Sequence, residues 1–245
     1  MLKESVKESE IMNNNTEIQT RRQAMQYSLI VMFQRILGLF CFIIAAGTFS
    51  SLRGWVYFSL YFTVSIVTLL IMMSNHLSTL SERGKKHDNT PRWDKVLLAI
   101  YVPLAFYGIY IVAGIDVRFN GAPLDFAWML AGVVLFLISS VLGVWPILKN
   151  KHFESTARVQ EDRNQTVINS GPYKIVRHPG YSSIILWSIS VPMIFGSLFT
   201  GVVSLIIISV IIIRTYLEDT MLQKELNGYR EYCADVKYRL IPYIW

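Results

Sequence analysis

The sequence predicts an all-α integral membrane protein with about six helical spans, four plus a tilted C-terminal hairpin. Three observations carry this. Apolar runs recur at or near the ~20 residues that cross a bilayer. Only 16% of the 245 residues are charged and 53% are hydrophobic, against about 25% charged in a soluble domain. Finally, of the 23 Lys and Arg residues, all but Arg35, Arg53 and Arg118 fall on one side if every hairpin crosses fully. Such asymmetry predicts both termini in the cytoplasm.

The elements follow in order. Residues 1–24 are polar and mixed in charge, too long and too acidic for a signal peptide. They predict a mobile tail, or a surface helix at most. Residues 25–148 form a four-span region. Its first apolar run, about 27–51, is interrupted by Gln34 and Arg35. Leu52, Arg53 and Gly54 separate it from the second, 55–74, as a tight helical hairpin. A polar segment, 75–95, precedes the third run, 96–114, in which Pro103 predicts a kink. The fourth run covers about 126–148.

Residues 149–245 form a third, cytoplasm-facing region that includes a membrane hairpin at 182–213. That stretch is too long for one span and short for two, with Pro192, Gly196 and Gly201 in its middle. It reads as two short or tilted helices turning near Gly196 to Gly201. Beyond it, Tyr229, Tyr232, Val236 and Leu240 recur at helical spacing, so an amphipathic helix lying on the membrane is expected until Pro242 stops it. Gly228 is expected to end the helix before it.

Composition also limits function. A net charge of +6 is accounted for by bases flanking spans, and no nucleic-acid-binding motif accompanies it. His76, His87, His152 and His178 are scattered without metal-site spacing. Cys41 and Cys233 lie too far apart in character to predict a disulfide.

Two stretches carry candidate chemistry. "GPYKIVRHPGY", 171–181, is polar and kinked at a membrane edge, where backbone groups need partners. Gly171 permits a turn or a close approach, and Pro172 and Pro179 stiffen the chain. Arg177 and His178 offer donors to an anion, and Tyr173 and Tyr181 offer faces to a cation or a base. An interfacial belt of Tyr, Arg and Lys would look similar. "IIIRTYLEDTMLQKEL", 211–226, places Arg214 and Glu218 four apart on one helix face. They read either as a surface pair with a snorkelling arginine or as charges lining a boundary pocket.

"TVINSGPYKIVRHPGY", an apolar hairpin, "RTYLEDTMLQKEL", "GYREY" and "YRLIPYIW", in this order, resemble the isoprenylcysteine carboxyl methyltransferase family and its bacterial relatives. Phospholipid N-methyltransferases are more distantly similar. The resemblance spans about 145–245 and touches "PRWDK" at 91–95. It implies an S-adenosylmethionine pocket built by Gln160, Gln165, Thr166, Val167, Ile168, Tyr173, His178, Pro179, Gly180 and Tyr181, with Glu218 holding the cofactor. Arg177 or His178 would meet its carboxylate. Arg214 would face the methyl acceptor, and Arg214 with Glu218 would be catalytic. The implied partner is a lipid-like or prenylated acceptor among membrane lipids, in a bacterial inner membrane, with no metal. The second acid after the arginine, Asp219, departs from the family's usual pair. The eukaryotic farnesyl-cysteine enzymes have more spans, so their substrate does not carry over.

Transfer to a carboxylate needs positioning and a dry site rather than a base, so carboxyl O-methylation is expected. Two rivals stay open: an NADPH-dependent membrane reductase of the sterol-reductase type, and a non-catalytic membrane scaffold.

Overall fold

The computed structural model describes residues 2–85, 87, 89–121 and 123–245, with the backbone alone for 2–13. The described residues form helices and turns without strands. α1 (Leu2–Ala46), α2 (Leu52–Asn75), α6 (Phe126–Lys149) and α8 (Leu198–Glu225) are long helices. α3 (Leu77–Arg83) is a short helix with Thr79, Leu80 and Ser81 buried. α4 (Arg92–Pro103) and α5 (Ile109–Phe119) are joined by one π-helical turn, Leu104–Gly108. α7 (Pro179–Phe195) and α9 (Tyr229–Asp235) complete the chain. Five stretches are long and apolar enough to cross a membrane: Asn14–Ala46, Leu52–Asn75, Arg92–Phe119, Phe126–Lys149 and Leu198–Glu225. The protein is therefore a multi-pass, all-α membrane protein. α7, with 17 residues, is about 25 Å long and is the short member expected of the C-terminal hairpin.

Several boundaries differ from the sequence reading, each for a local reason. The polar N-terminal residues are the first turns of α1, because neither Gly nor Pro interrupts the chain before Gly38. Leu52, Arg53 and Gly54 are not the connection but the first turn of α2. Ser51 caps that turn by accepting from the Gly54 N–H at 3.2 Å. The connection is instead 47–51, with Gly47 at φ +64°. Pro103 disturbs the third span as expected. With no N–H to donate, it shifts the ladder into the π turn that follows. The C-terminal hairpin turns at Gly196, φ +69°, where only glycine is unstrained, and Ser197 caps α8.

The expected amphipathic helix through Leu240 is corrected. α9 stops at Asp235. The carbonyls of Tyr238 and Arg239 accept from the N–H groups of Arg177 and His178, both at 2.9 Å. The Val236 and Lys237 carbonyls accept from the Arg177 guanidinium at 2.8 and 2.9 Å. Val236 is already extended, at φ −112° and ψ 93°, and these bonds dock the segment after it on the 177–178 chain. Gly228, at φ +79°, opens α9 rather than ending α8, whose cap is Leu226.

The bundle core is aromatic. Tyr57, Phe58, Tyr110, Phe136 and Phe195 are buried together. Their polar tips are satisfied: Tyr57 and Tyr110 share a 2.8 Å hydrogen bond, and Trp187 Nε1 donates to Tyr57 Oη at 3.1 Å. Small residues let the backbones close in. At Gly132 of α6 an added Cβ would lie 2.9 Å from the Ile194 amide nitrogen of α7. On the face away from the basic loops, Arg53 donates to the carbonyls of Ile194 (3.2 Å) and Asp125 (3.0 Å), tying α2 to the end of α7.

Gly132→Leu should destabilise the protein. Overpacking against backbone costs about 1–3 kcal/mol, more than the ~1 kcal/mol gained by removing a helical glycine. Thermal unfolding in detergent should show a lower midpoint than the parent.

Candidate functional site

The site is built where α7 and α8 leave the apolar core and meet 150–178 and the C-terminal segment. His178 precedes α7, with Pro179 opening the helix, where a missing N–H costs nothing. α8 runs unbroken from the hairpin through Glu225, so it lifts Arg214, Glu218 and Asp219 from the apolar end toward the polar one. The segment 150–170 has no regular helix beyond one 3-10 turn, Glu161–Arg163. Side chains fasten it instead. Gln160, 1% exposed, donates from Nε2 to the His152 carbonyl at 2.6 Å. Its own N–H donates to Gln165 Oε1 at 2.7 Å, and Arg163 donates to its Oε1 at 3.0 Å.

All the residues assigned to a cofactor or acceptor by the sequence line one cavity of about 410 Å³, within the ~300–1,000 Å³ of small-molecule sites. Gln160, Gln165, Thr166, Val167 and Ile168 form one wall. Tyr173, Arg177, His178, Pro179, Gly180 and Tyr181 form the second, and Arg214 and Glu218 the third. Gly180 leaves room that a side chain would take: its added Cβ would lie 2.9 Å from the Phe153 ring.

Asp219, read only as a departure, is the residue that holds these walls together. It is fully buried. Arg177 Nε and Nη2 donate to its two oxygens at 2.8 and 3.0 Å. Arg239 Nε donates to Oδ2 at 2.8 Å, Gln223 Nε2 at 2.9 Å, and Tyr229 Oη to Oδ1 at 3.1 Å. His178 Nε2 lies 3.2 Å from Oδ1. Arg177 and His178 are thus oriented by Asp219. The Arg177 guanidinium spends its donors on that carboxylate and on two carbonyls, rather than standing free for a ligand anion.

Arg214 differs from its expected surface pairing as well. It is 5% exposed and does not pair with Glu218. Its Nε and Nη2 donate to Asp94 at 2.6 and 3.3 Å, and Nη2 also donates to the Ser155 carbonyl at 2.8 Å. Asp94, fully buried on α4, accepts from the Ala157 N–H at 2.9 Å too. It belongs to the "PRWDK" segment, so that motif supplies the counter-ion. Glu218 accepts a short hydrogen bond from Tyr181 Oη and has no cationic partner among the described residues. Tyr181 in turn stacks on His178, with ring centroids 5.8 Å apart.

Other cavity residues escaped the sequence reading. Both ring nitrogens of His152 and the Thr156 hydroxyl are buried without a partner. Burial lowers the His152 pKa, favouring the neutral imidazole. Native proteins leave few such groups unsatisfied, and here they face a space a ligand could fill. Asn150 donates to Tyr173 Oη at 3.1 Å, Tyr232 Oη donates to the Tyr173 carbonyl at 2.7 Å, and burial pushes the Tyr173 hydroxyl up. No local motif marks Asn150, His152 or Thr156 in advance.

A metal is poorly served. The ligand atoms of Glu82, His87 and Glu154 lie within 4.8 Å of one another. Yet Glu154 takes both Nε and Nη2 of Arg158 at 2.9 Å, and Glu82 takes Lys85 at 2.6 Å. Those cations already neutralise the carboxylates. The two cysteines are free thiols.

Residues 130–224 match the isoprenylcysteine carboxyl methyltransferase (ICMT) family, the family the motifs resemble. The match covers most of α6, the 150–178 segment, α7 and nearly all of α8. No curated protein matches the chain.

Asp219→Asn should be severely destabilising. It leaves Arg177 and Arg239 without their counter-charge, and breaking a buried pair costs about 3–5 kcal/mol. Limited proteolysis should cut the 228–245 segment faster than in the parent. Asp94→Asn should lower the unfolding midpoint for the same reason, and leave the C-terminal segment resistant.

Proposed function

We propose that this chain uses S-adenosylmethionine to methylate the carboxylate of a lipid-like or prenylated acceptor. The cofactor cavity opens to the cytoplasm, and both termini lie on that side. The observation that carries the reading is the charge state of the cavity. Of its cations, Arg158, Arg177 and Arg214 have carboxylate partners of their own, while Arg35 and Arg83 have none among the described residues. Glu218 makes no ion pair among the described residues, and His152 and Thr156 line the same cavity unsatisfied.

That donor set fits the cofactor. Glu218 would pair with its ammonium, worth more in a partly desolvated site than in water. His152 and Thr156, lacking partners, would take up its polar groups, and Tyr173 and Tyr181 would offer aromatic faces to the sulfonium. When bound, S-adenosylmethionine supplies a methyl group whose transfer breaks the sulfur–carbon bond, forms an oxygen–carbon bond and turns a sulfonium and a carboxylate into a neutral thioether and ester. No proton moves, so the residues have no general-base work. Their task is to hold, align and exclude water. Gly180 and Phe153 would shape the passage between cofactor and acceptor, and Arg214, held by Asp94, lines the same cavity. The Asp219 cluster keeps the Arg177–Tyr181 wall in register.

Calorimetric titration of the detergent-purified protein with S-adenosylmethionine, with NADPH in parallel, tests the reading. Saturable binding of S-adenosylmethionine alone is expected. Binding of NADPH alone would move the protein to the reductases, and binding of neither would favour a scaffold. Glu218→Gln should weaken S-adenosylmethionine binding at least about tenfold, the scale of one hydrogen bond to a charged group. Its unfolding midpoint should stay that of the parent, because Glu218 binds only a tyrosine hydroxyl.

A further inference from the structure

Two arginines on the membrane side of the cavity have no acidic partner among the described residues. Arg35 lies within the apolar part of α1. Its Nε donates to Ser65 Oγ at 3.2 Å, and its guanidinium sits over the rings of Tyr61 (4.3 Å) and Phe106 (5.2 Å). Its Nη1 is buried with no acceptor. Arg83, in the last turn of α3, donates from Nε to Tyr27 Oη at 3.3 Å and lies 5.2 Å from the Phe153 ring. Its Nη1 is also buried with no acceptor. By contrast Arg158, Arg177, Arg214 and Arg239 each hold a carboxylate.

The placement of the pair matters. Arg35 and Arg83 line the 410 Å³ cavity and also line a second cavity of about 330 Å³. The second lies between α1, α2, α6 and α7, walled by apolar side chains such as Val64, Met72, Phe136 and Trp187. The arginines therefore stand where a polar chamber meets a greasy one. Arg35 lies within a span, where a cation is costly and is kept where a partner compensates it, and Arg83 lies just outside one. Aromatic faces compensate part of the charge, but an N–H without an acceptor is not satisfied by a ring. The missing partner is an anion, and it must arrive with something that fills the apolar chamber.

We propose that Arg35 and Arg83 are the acid-recognition site for the acceptor, a single-chain amphiphile ending in a carboxylate. Its tail lies in the second cavity and its head on the two guanidinium groups. Calling this ligand the acceptor rests on the methyltransferase reading. Arg214, already held by Asp94, then serves as a positioning cation, and the discrimination between acid and neutral chains comes from the first span and α3. Both lie outside the matched residues 130–224, so acceptor choice would reside in a part of the chain separate from the cofactor segment.

The test uses the full chain in phosphatidylcholine nanodiscs and three probes of one chain length: dodecanoate, dodecyl phosphate and dodecanol. Dodecanoate should bind at least about tenfold more tightly than dodecanol, the scale of charge-assisted hydrogen bonds. Arg35→Gln should erase that preference, and Arg83→Gln should reduce it. Equal binding of acid and alcohol to the unaltered protein overturns the proposal without any variant having to fold. Tighter binding of dodecyl phosphate than dodecanoate overturns the carboxylate and assigns the site to a phospholipid-type head. An acid preference that survives both substitutions moves the site off these arginines. S-adenosylmethionine titrated into the same samples separates the two readings. Its failure to bind sinks the methyltransferase and leaves the acid preference standing, whereas its binding without an acid preference sinks this inference alone.

Discussion

The carboxylate of Asp219 is the point on which the polar half of the molecule turns. It is fully buried at a membrane boundary, where an unpaired charge would be prohibitive. Its two oxygens gather donors from the stretch before α7, from α8, from α9 and from the C-terminal segment. Beside it, Tyr173, Met221, Leu222, Tyr229 and Tyr232 pack into one apolar cluster that joins the same elements. The 177–178 chain pairs with 238–239 through two backbone hydrogen bonds only, too few to hold a cavity wall unaided. One anion, by satisfying Arg177 and Arg239 together, converts four loosely related segments into a fixed rim. A buried ion cluster of this kind is weak evidence of extra stability but strong evidence of a specified geometry, because alternatives would leave a charge stranded.

A second buried pair divides the labour. Asp94 binds Arg214 across α4 and α8 and receives the Ala157 N–H, so the span containing Pro103 is tied to the helix that carries Glu218. The two clusters pair the buried charges Asp94, Arg177, Arg214 and Asp219 with one another. His152, Arg35 and Arg83 keep unsatisfied nitrogens, Glu218 makes no ion pair among the described residues, and all four line the cavities. Arg158, Arg177, Arg214 and Arg239 hold carboxylates, whereas Arg35 and Arg83, which face the apolar chamber, hold none among the described residues.

The membrane half follows different rules. Lipid tails give helices no hydrophobic reason to associate, so close approach at small residues and satisfied polar tips matter more. Gly132 lets α6 meet α7, and the Tyr57–Tyr110–Trp187 hydrogen bonds close the aromatic core. That core sets the spacing of α1, α2, α6 and α7, and hence the size of the apolar chamber between them.

By itself, the sequence determined what local chemistry and one-dimensional pattern can determine. Apolar runs of bilayer length placed the spans, Pro103 and Gly196 marked the disturbed ladder and the hairpin turn, and the ordered motifs from 165 to 218 named part of the cavity lining. What they do there was decided by tertiary structure. Asp219 looked like a departure because its partners lie 10, 20 and 42 residues away. Arg214 looked like the mate of Glu218 because periodicity sees only i,i+4, whereas its counter-ion is 120 residues distant. Helical spacing continued past Asp235 on paper, but the segment after it docks in extended form on Arg177 and His178. Long-range ion pairs between segments with no shared pattern leave no trace in sequence, and the folded chain alone decides which charges are spent and which are left to bind.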